Sequence, residues 1–507
     1  MELQQDEDNM PRIQRGGLTR RGLLQLAGVG IASAALASRV TTAKQQPSPA
    51  KTGPEVGSVM GKLSTYMSEA KDRALPEDAV EKAKQHILDT LAAMVSGSEL
   101  TPGRHAIQFA RAYGGQKVAT VAASDVLCGP IEAALVNGML AHADETDDSH
   151  APSQSHPGCA VVPAALAAGE RFGVDGTHFL RSVALGYDIG PRFTMTLGGQ
   201  PFESGSHWST HSIAPLFGAA AAAGCAASLN VRQMRWLLGY AAQQSSGLAS
   251  WQRDSEHIQK AFCFGGMTAR SGVTAALVAQ SNWTGVEDIL SGADNFFQAY
   301  NPQADPSGLI DAVGERYEIT RTNIKKWPVG SPIQAALDAL EILRRQHPFE
   351  AAQVQEVSVQ LATHEAGIVS NREIPDICLQ HMVAVMLLEK NIAFGAAHDK
   401  ARMKDPGVLR ERAKVKLIPD DALQRLMPLR VAIVGLMLAD GTHLSQRVDN
   451  VRGTPENPMT REEIIAKARD LITPILGAKN CTALIEAVLH LEDVKDIREL
   501  RPALQRG

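Results

Sequence analysis

Cysteine is scarce in this chain. The six residues, Cys128, Cys159, Cys225, Cys263, Cys378 and Cys481, are scattered and form no C-x-x-C pair. That spacing excludes a zinc ribbon or an iron–sulfur framework and leaves them as small buried residues. An excess of one charge is also missing: 50 Lys and Arg stand against 55 Asp and Glu, a formal charge of -5. The electrostatic footprint of a nucleic-acid binder is therefore absent. No fixed-period repeat is apparent, which disfavours a solenoid. The one apolar run near membrane length, Leu23 to Ala37, is too short and too rich in Ala and Gly for a stable membrane anchor. What is there is globular: 507 residues, 44% hydrophobic and 21% charged, with mean hydropathy -0.11. Such a chain has room for more than one domain and a sizeable core.

The short apolar run follows Thr19-Arg20-Arg21-Gly22-Leu23-Leu24 and ends in Ala35-Leu36-Ala37. Together these resemble a twin-arginine export signal with an A-x-A cleavage site over residues 1–37, and they predict an exported, periplasmic protein engaged by the export machinery. Residues 1–37 hold equal numbers of acids and arginines, so their removal leaves the net charge unchanged. Ser38 to Gly57 is polar or small and carries Pro47, Pro49 and Pro54, the composition of a tether.

Beyond residue 57, Pro76-Glu77-Asp78 opens a helix whose apolar face (Val80, Ala83, Ile87, Leu91, Met94) runs to Gly97. Ile131–Ala141, Cys159–Glu170, Phe217–Ser228 and Val273–Ala279 are rich in Ala and Gly, which lets helix axes approach closely and predicts a compact all-helical core. From about residue 311 the pattern changes. A helix over Ile333–Arg345 is followed by a strand in which Val357, Val359 and Leu361 alternate with polar residues. Val431 and Ile433 begin another strand, and Asp440-Gly441 signals a hairpin into Thr442–Val448. Thr460-x-x-Glu463 has the form of a capping box, and Asn480–Val494 reads as a further helix. The expected fold is mainly α: an all-helical part over 58–310, a smaller α+β part over 311–463, and a helical return over 464–507 after the leader and tether of 1–57.

The densest polar cluster is His142-Ala143-Asp144-Glu145-Thr146-Asp147-Asp148-Ser149-His150, followed by His156-Pro157. His142, Asp144, Asp148, His150 and His156 offer nitrogen and oxygen donors, though in no recognised metal spacing. An imidazole beside carboxylates also suits proton transfer near neutral pH. Asp and Ser in such a loop equally serve as helix caps.

These residues also resemble a known family. Ala133-Ala134-Leu135-Val136-Asn137-Gly138, Ala141-His142, Asp147-Asp148-Ser149-His150 and His156-Pro157 are similar to the signature of the MmgE/PrpD family. So, in order, are Asp89-Thr90-Leu91, Gly186-Tyr187-Asp188, Phe217-Gly218, Ser246-Gly247-Leu248, Lys260 before Gly265-Gly266, Ile324-Lys325-Lys326-Trp327-Pro328 and Asn457-Pro458-Met459. The family includes 2-methylcitrate dehydratase, cis-aconitate decarboxylase and an iminodisuccinate epimerase. The resemblance implies a helical domain completed by the C-terminus, an α+β lid, a homodimer, and a lyase or isomerase acting on a small polycarboxylate without metal or cofactor.

By that resemblance His156 is the active-site histidine, Lys260 and Lys325 are the active-site lysines, Ser149 replaces a substrate-binding threonine, and Asp148 is its acidic neighbour. Removing a proton next to a carboxylate builds charge on a group already negative, so cationic donors are needed there. The chain departs from the family pattern at Glu145, where many members have Asp, at Gly330, where a histidine is usual, and at His381, aligned with a lid tyrosine. Either His207 or His211 corresponds to a further histidine facing the cleft. Two rival readings follow: a metal-dependent hydrolase built on the His142–His156 cluster, and an exported carboxylate-binding protein without catalysis.

Overall fold

The computed structural model describes residues 56–506; the leader and most of the tether lie outside them. The structure is mainly helical and has two large apolar cores. The first gathers residues from Met60 to Ile324 and again from Met459 to Leu504. The second gathers residues from Trp327 to Val451. All six cysteines are buried and unbridged.

The first core is organised by helices α1 (Glu77–Gly97), α2 (Pro130–Ala141), α3 (Gly158–Phe172), α4 (Gly176–Leu197), α5 (Thr210–Ala226) and α6 (Met267–Gln280). Helix α1 starts as expected, with Pro76 at its N-cap and Glu77 and Asp78 in its first turn, where the helix dipole favours acids. Small residues set the spacing of the others. A Cβ on Gly190 of α4 would lie 2.4 Å from the Ala214 carbonyl oxygen of α5, and one on Gly272 of α6 would lie 2.5 Å from the Ala220 nitrogen. Only glycine admits backbones this close.

The second core fills a four-stranded sheet, β1 (Val354–Ala362), β2 (Val415–Asp420), β3 (Ala432–Leu438) and β4 (His443–Val448), covered by helices α7 (Ser331–Gln346) and α8 (Leu379–Glu389). The strand order is β2-β1-β3-β4, with β1 parallel to β2 and the other neighbours antiparallel. The alternation at Val357, Val359 and Leu361 marks the buried face of β1, and Gly441, at φ 87°, turns β3 into β4. Strand β2 carried no usable signal, since Lys416, Pro419 and Asp420 interrupt its apolar pattern.

Helix α9 (Arg461–Leu489) returns the chain to the first core. Thr460 and Glu463 form the capping box, and Gly477, at φ 78° and ψ 162°, breaks the helix between Pro474 and Asn480. By length and composition α9 is apolar enough to cross a membrane, yet one face packs on α1.

Gly138 of α2 and Gly265 approach each other closely beside the polar loop. A Cβ on Gly138 would stand 2.3 Å from the Gly265 carbonyl oxygen, and one on Gly265 would stand 2.0 Å from that of Gly138. This contact sets the distance between the 142–157 loop, which leaves α2, and the segment carrying Lys260. Gly138→Ala is therefore expected to lower stability by about 1–3 kcal/mol in urea unfolding, although alanine is the better helix former. An unchanged denaturation midpoint would show that the two segments can separate freely.

Candidate functional site

Helix α2 ends at His142, and the polar loop then turns inward. Asp144, Glu145, Thr146, Asp147 and Asp148 are all buried. Buried carboxylates need partners, and this loop finds them in distant segments. Lys260 Nζ is ion-paired with Glu145 Oε1. Lys325 Nζ donates to the Glu145 carbonyl oxygen at 2.8 Å and lies 3.6 Å from both Glu145 Oε2 and Asp147 Oδ1. The Nδ1 atoms of His142 and His156 bond the two oxygens of Asp147 at 2.9 and 3.1 Å.

Local structure aims each group. Lys260 sits in the short helix Ile258–Ala261, which starts at His257 in the left-handed conformation (φ 63°), and Asp254 Oδ2 accepts from its backbone N–H at 2.9 Å. A widened helical turn, Phe262–Gly266, follows. Phe264 of this turn stacks against His142 and His211 with ring centroids 4.5 and 4.6 Å apart.

Burial alone would raise both carboxyls, but the lysines and imidazoles around them win. Lys260 and Lys325 hold Glu145 well below the usual carboxylate range, and His142, His156 and Lys325 do the same for Asp147. Burial, aided by Lys325 and opposed by Asp147, pushes His156 down to about 4. At neutral pH its imidazole is uncharged. With Asp147 ionised, the proton sits on Nδ1, and Nε2 keeps a free lone pair.

Glu145, His156 and Lys260 line a cleft of about 620 Å3 together with His207, His211 and Gly330. Both candidate histidines thus reach it; His207 does so from a left-handed residue (φ 64°), and His211 Nδ1 lies 3.6 Å from Glu203 Oε1. A Cβ on Gly330 would find its nearest neighbour at 3.5 Å, an ordinary contact, so glycine here leaves space that a side chain could fill. Trp251, Arg253 and Arg430 also line the cleft.

Three expected site residues lie outside both the cleft and the ion cluster beside it. Asp148 turns away from the cleft: Oδ1 accepts from the Gly158 N–H at 3.0 Å, and Oδ2 bonds Tyr187 Oη at 2.5 Å and His86 Nδ1 at 3.1 Å. It caps α3 and pins the loop to α1 and α4. Ser149 exchanges backbone hydrogen bonds with Asn323 and lines a separate cavity of about 190 Å3; Lys325 also borders that cavity rather than the cleft, and reaches the cleft residues only through Glu145. His381 is buried in α8 within the second core; its ring nitrogens have no hydrogen-bond partner, and burial, helped by Arg412 and Arg402, pushes it down to about 4. It lies on a helix face that packs inward and does not line the cleft.

Two further cations reach the loop from behind. Lys467 of α9 donates to the Thr146 carbonyl oxygen at 3.0 Å and pairs with Asp89 Oδ1 at 2.6 Å. His398 Nε2 lies 2.8 Å from Asp144 Oδ2 and 3.9 Å from Asp376 Oδ2, while its Nδ1 bonds the Phe394 carbonyl oxygen at 2.8 Å. With acceptors at both nitrogens, the imidazolium is favoured. No local motif marked either residue, since each acts on a loop more than 250 positions away.

Donors for a metal do gather here. Ligand atoms of His142, Glu145 and His257, and of His142, Asp147 and Cys159, lie within 4.8 Å of one another. The set is chemically ill suited to a cation: Lys260 and Lys325 already neutralise its carboxylates, and burial pushes the Cys159 thiol well above its ordinary value.

These features define a mainly helical protein whose buried loop of acids and histidines is closed by lysines from later segments. The MmgE/PrpD N-terminal domain model matches residues 61–308 and the MmgE/PrpD C-terminal domain model matches 327–493. The chain belongs to the MmgE/PrpD family. It is 24% identical over 486 residues to the cis-aconitate decarboxylase-like protein oryM of Aspergillus oryzae, covering 88% of this chain and 96% of that protein. It is 25% identical over 468 residues to the cis-aconitate decarboxylase of Homo sapiens, covering 88% and 95%. The Mus musculus cis-aconitate decarboxylase matches at 24% over 455 residues, covering 85% and 90%.

The His398 pair makes stability depend on pH. Burial would lower this imidazole, but Asp144 and Asp376 outweigh it and raise it to about 9. Its contribution is complete below the unfolded value of about 6.5 and is lost as pH rises through about 9. Asp376, raised to about 6 mainly by burial, has finished titrating before that window ends. A loss of roughly 3 kcal/mol is expected from His398 across it. The melting temperature should fall by a few degrees between neutral pH and pH about 9, and His398→Gln should flatten that fall.

Proposed function

We propose that this protein is a lyase or isomerase that takes a carbon-bound proton from a small hydroxy-, imino- or unsaturated polycarboxylate. The observation that carries the reading is the convergence of His156, Lys260 and Lys325 on Glu145 and Asp147 beside one cleft. Asp147 holds the His156 tautomer, so Nε2 serves as the base, as in other carboxylate–imidazole pairs. Lys260 and Lys325 stabilise charge that develops on the carboxylate next to the reacting carbon. The names of the relatives support a lyase; dehydration and epimerisation begin by removing that proton, whereas decarboxylation breaks a C–C bond, releases CO2 and leaves a carbanion of the same kind that then takes up a proton. His207 and His211 stand where a leaving or migrating group could receive a proton, and Gly330 widens the pocket for it.

The same reading divides the chain into a helical domain over 58–310, an α+β lid over 311–463 and a return over 464–507. It makes the active protein a homodimer that works without a metal or cofactor, exported to the periplasm by the leader of residues 1–37.

The decisive experiment incubates the protein with a panel of such carboxylates in deuterated water and follows products by proton NMR. Exchange of one carbon-bound proton, or uptake of deuterium into a product, is expected; the absence of both across the panel would favour a binding protein without catalysis. His156→Ala and Lys260→Ala should each cost roughly 10²- to 10⁴-fold in turnover with the fold retained; near-normal turnover in both would discard the assignment. The acid limb of kcat/KM should lie at pH about 4, where His156 becomes protonated.

Chelation is expected to leave the rate unchanged, with no stoichiometric metal found on elemental analysis. Loss of activity on chelation, restored by one added metal, would revive a hydrolase built on the His142 cluster.

A further inference from the structure

The ion cluster beside the cleft carries no net charge. Glu145 and Asp147 balance Lys260 and Lys325, and His156 is uncharged at neutral pH. A di- or tricarboxylate entering such a place gains little long-range attraction from the lysines until Glu145 gives way. The second cleft acid, Glu203, faces His211 and accepts from Thr210 Oγ1 at 2.9 Å.

Two guanidinium groups remain. Arg253 ends the tight turn Ala249–Arg253; it is exposed and makes no ion pair or side-chain hydrogen bond among the described residues. Its turn is fixed relative to Lys260. Trp251 Nε1 donates to Ser209 Oγ at 3.1 Å, and the Trp251 ring centroid lies 5.2 Å from Lys260 Nζ. Arg430 approaches from the segment before β3. Its Nη1 is tied to the buried Glu365, and the residue borders both the cleft and the smaller cavity that holds Ser149 and Lys325. The two arginines therefore come from the two halves of the chain and meet the same cleft, one unpaired and the other anchored through a single nitrogen. Guanidinium forks suit carboxylates, and a fork held by one edge keeps its remaining donors for a ligand.

We propose that Arg253 and Arg430 bind the non-reacting carboxylates of a di- or tricarboxylate, while the reacting carboxylate exchanges with Glu145 at Lys260 and Lys325. The inference rests on the function proposed above and adds the residues that set how many carboxylates the ligand carries. Arg253 and Arg430 are specificity residues on this view, and the lysine pair alone is a site for one carboxylate.

The test is calorimetric titration of the purified protein with propane-1,2,3-tricarboxylate, succinate and butyrate, none of which needs to react. Wild type should bind the tricarboxylate most tightly and butyrate least. Arg253→Gln and Arg430→Gln should each weaken tricarboxylate binding about ten- to a hundredfold and leave butyrate binding unchanged. Added salt should weaken the tricarboxylate complex more in wild type than in Arg253→Gln, because that contact is open to solvent. Unchanged tricarboxylate affinity in Arg253→Gln would overturn the inference while the proposed function stands. Exposed Arg253 can be replaced without unsettling a core, so this variant decides the matter even where Arg430→Gln, which strips Glu365 of its partner, fails to fold. Failure of wild type to bind any of the three would overturn the proposed function and the inference together.

Discussion

Everything in the cleft depends on keeping two carboxylates ionised out of water. Glu145 and Asp147 are each almost wholly buried, and an isolated ion in that setting costs several kcal/mol even after the protein relaxes. The cost is offset only when cations arrive at contact distance from several directions. Here Lys260 comes from a short helix and Lys325 from the crossing between the two cores, while His142 and His156, at the two ends of the loop, hydrogen-bond Asp147 through Nδ1. Because no single segment supplies the compensation, the site exists only in the assembled fold. The same arrangement supplies a neutral imidazole with a fixed tautomer, which a solvent-exposed histidine would not provide.

The small-residue packing beneath the loop makes that assembly possible. Helices spaced by larger side chains would hold the Lys260 segment further from α2, and a lysine whose reach is already used cannot follow an acid that moves away. Gly138 and Gly265 therefore act on charge pairing through backbone distance. Asp148 serves the same end from the other side: with its oxygens committed to Gly158, Tyr187 and His86, it converts a polar loop into a rigid one.

Much of this was legible in the residues. Ala and Gly runs announced closely spaced helices, and alternation at Val357, Val359 and Leu361 announced a half-buried strand. Resemblance to the family pointed to His156, Lys260 and Lys325, which the fold brings to neighbouring acids. Sequence proximity was a poorer guide within the loop. Asp147 and Asp148 are adjacent, yet one faces the lysines and the other caps a helix, because which way a loop side chain points is decided by partners far along the chain. His381 failed for a related reason: its helix turns that position into an apolar core. Lys467 and His398 carry no local pattern at all, and strand β2 is sustained by pairing with β1 in spite of its charged and proline residues.

Lys467 also bears on how the molecule comes into being. It stands in the final helix, yet it satisfies the Thr146 carbonyl and the Asp89 carboxylate, both made early in synthesis. A nascent chain that has emerged only as far as β4 lacks this ammonium, so an acid in α1 and a carbonyl of the reactive loop wait without it. The chemistry of the first third is thus completed by the last tenth, and a ribosome that stalls before α9 releases a protein in which a buried acid of α1 has no ammonium beside it.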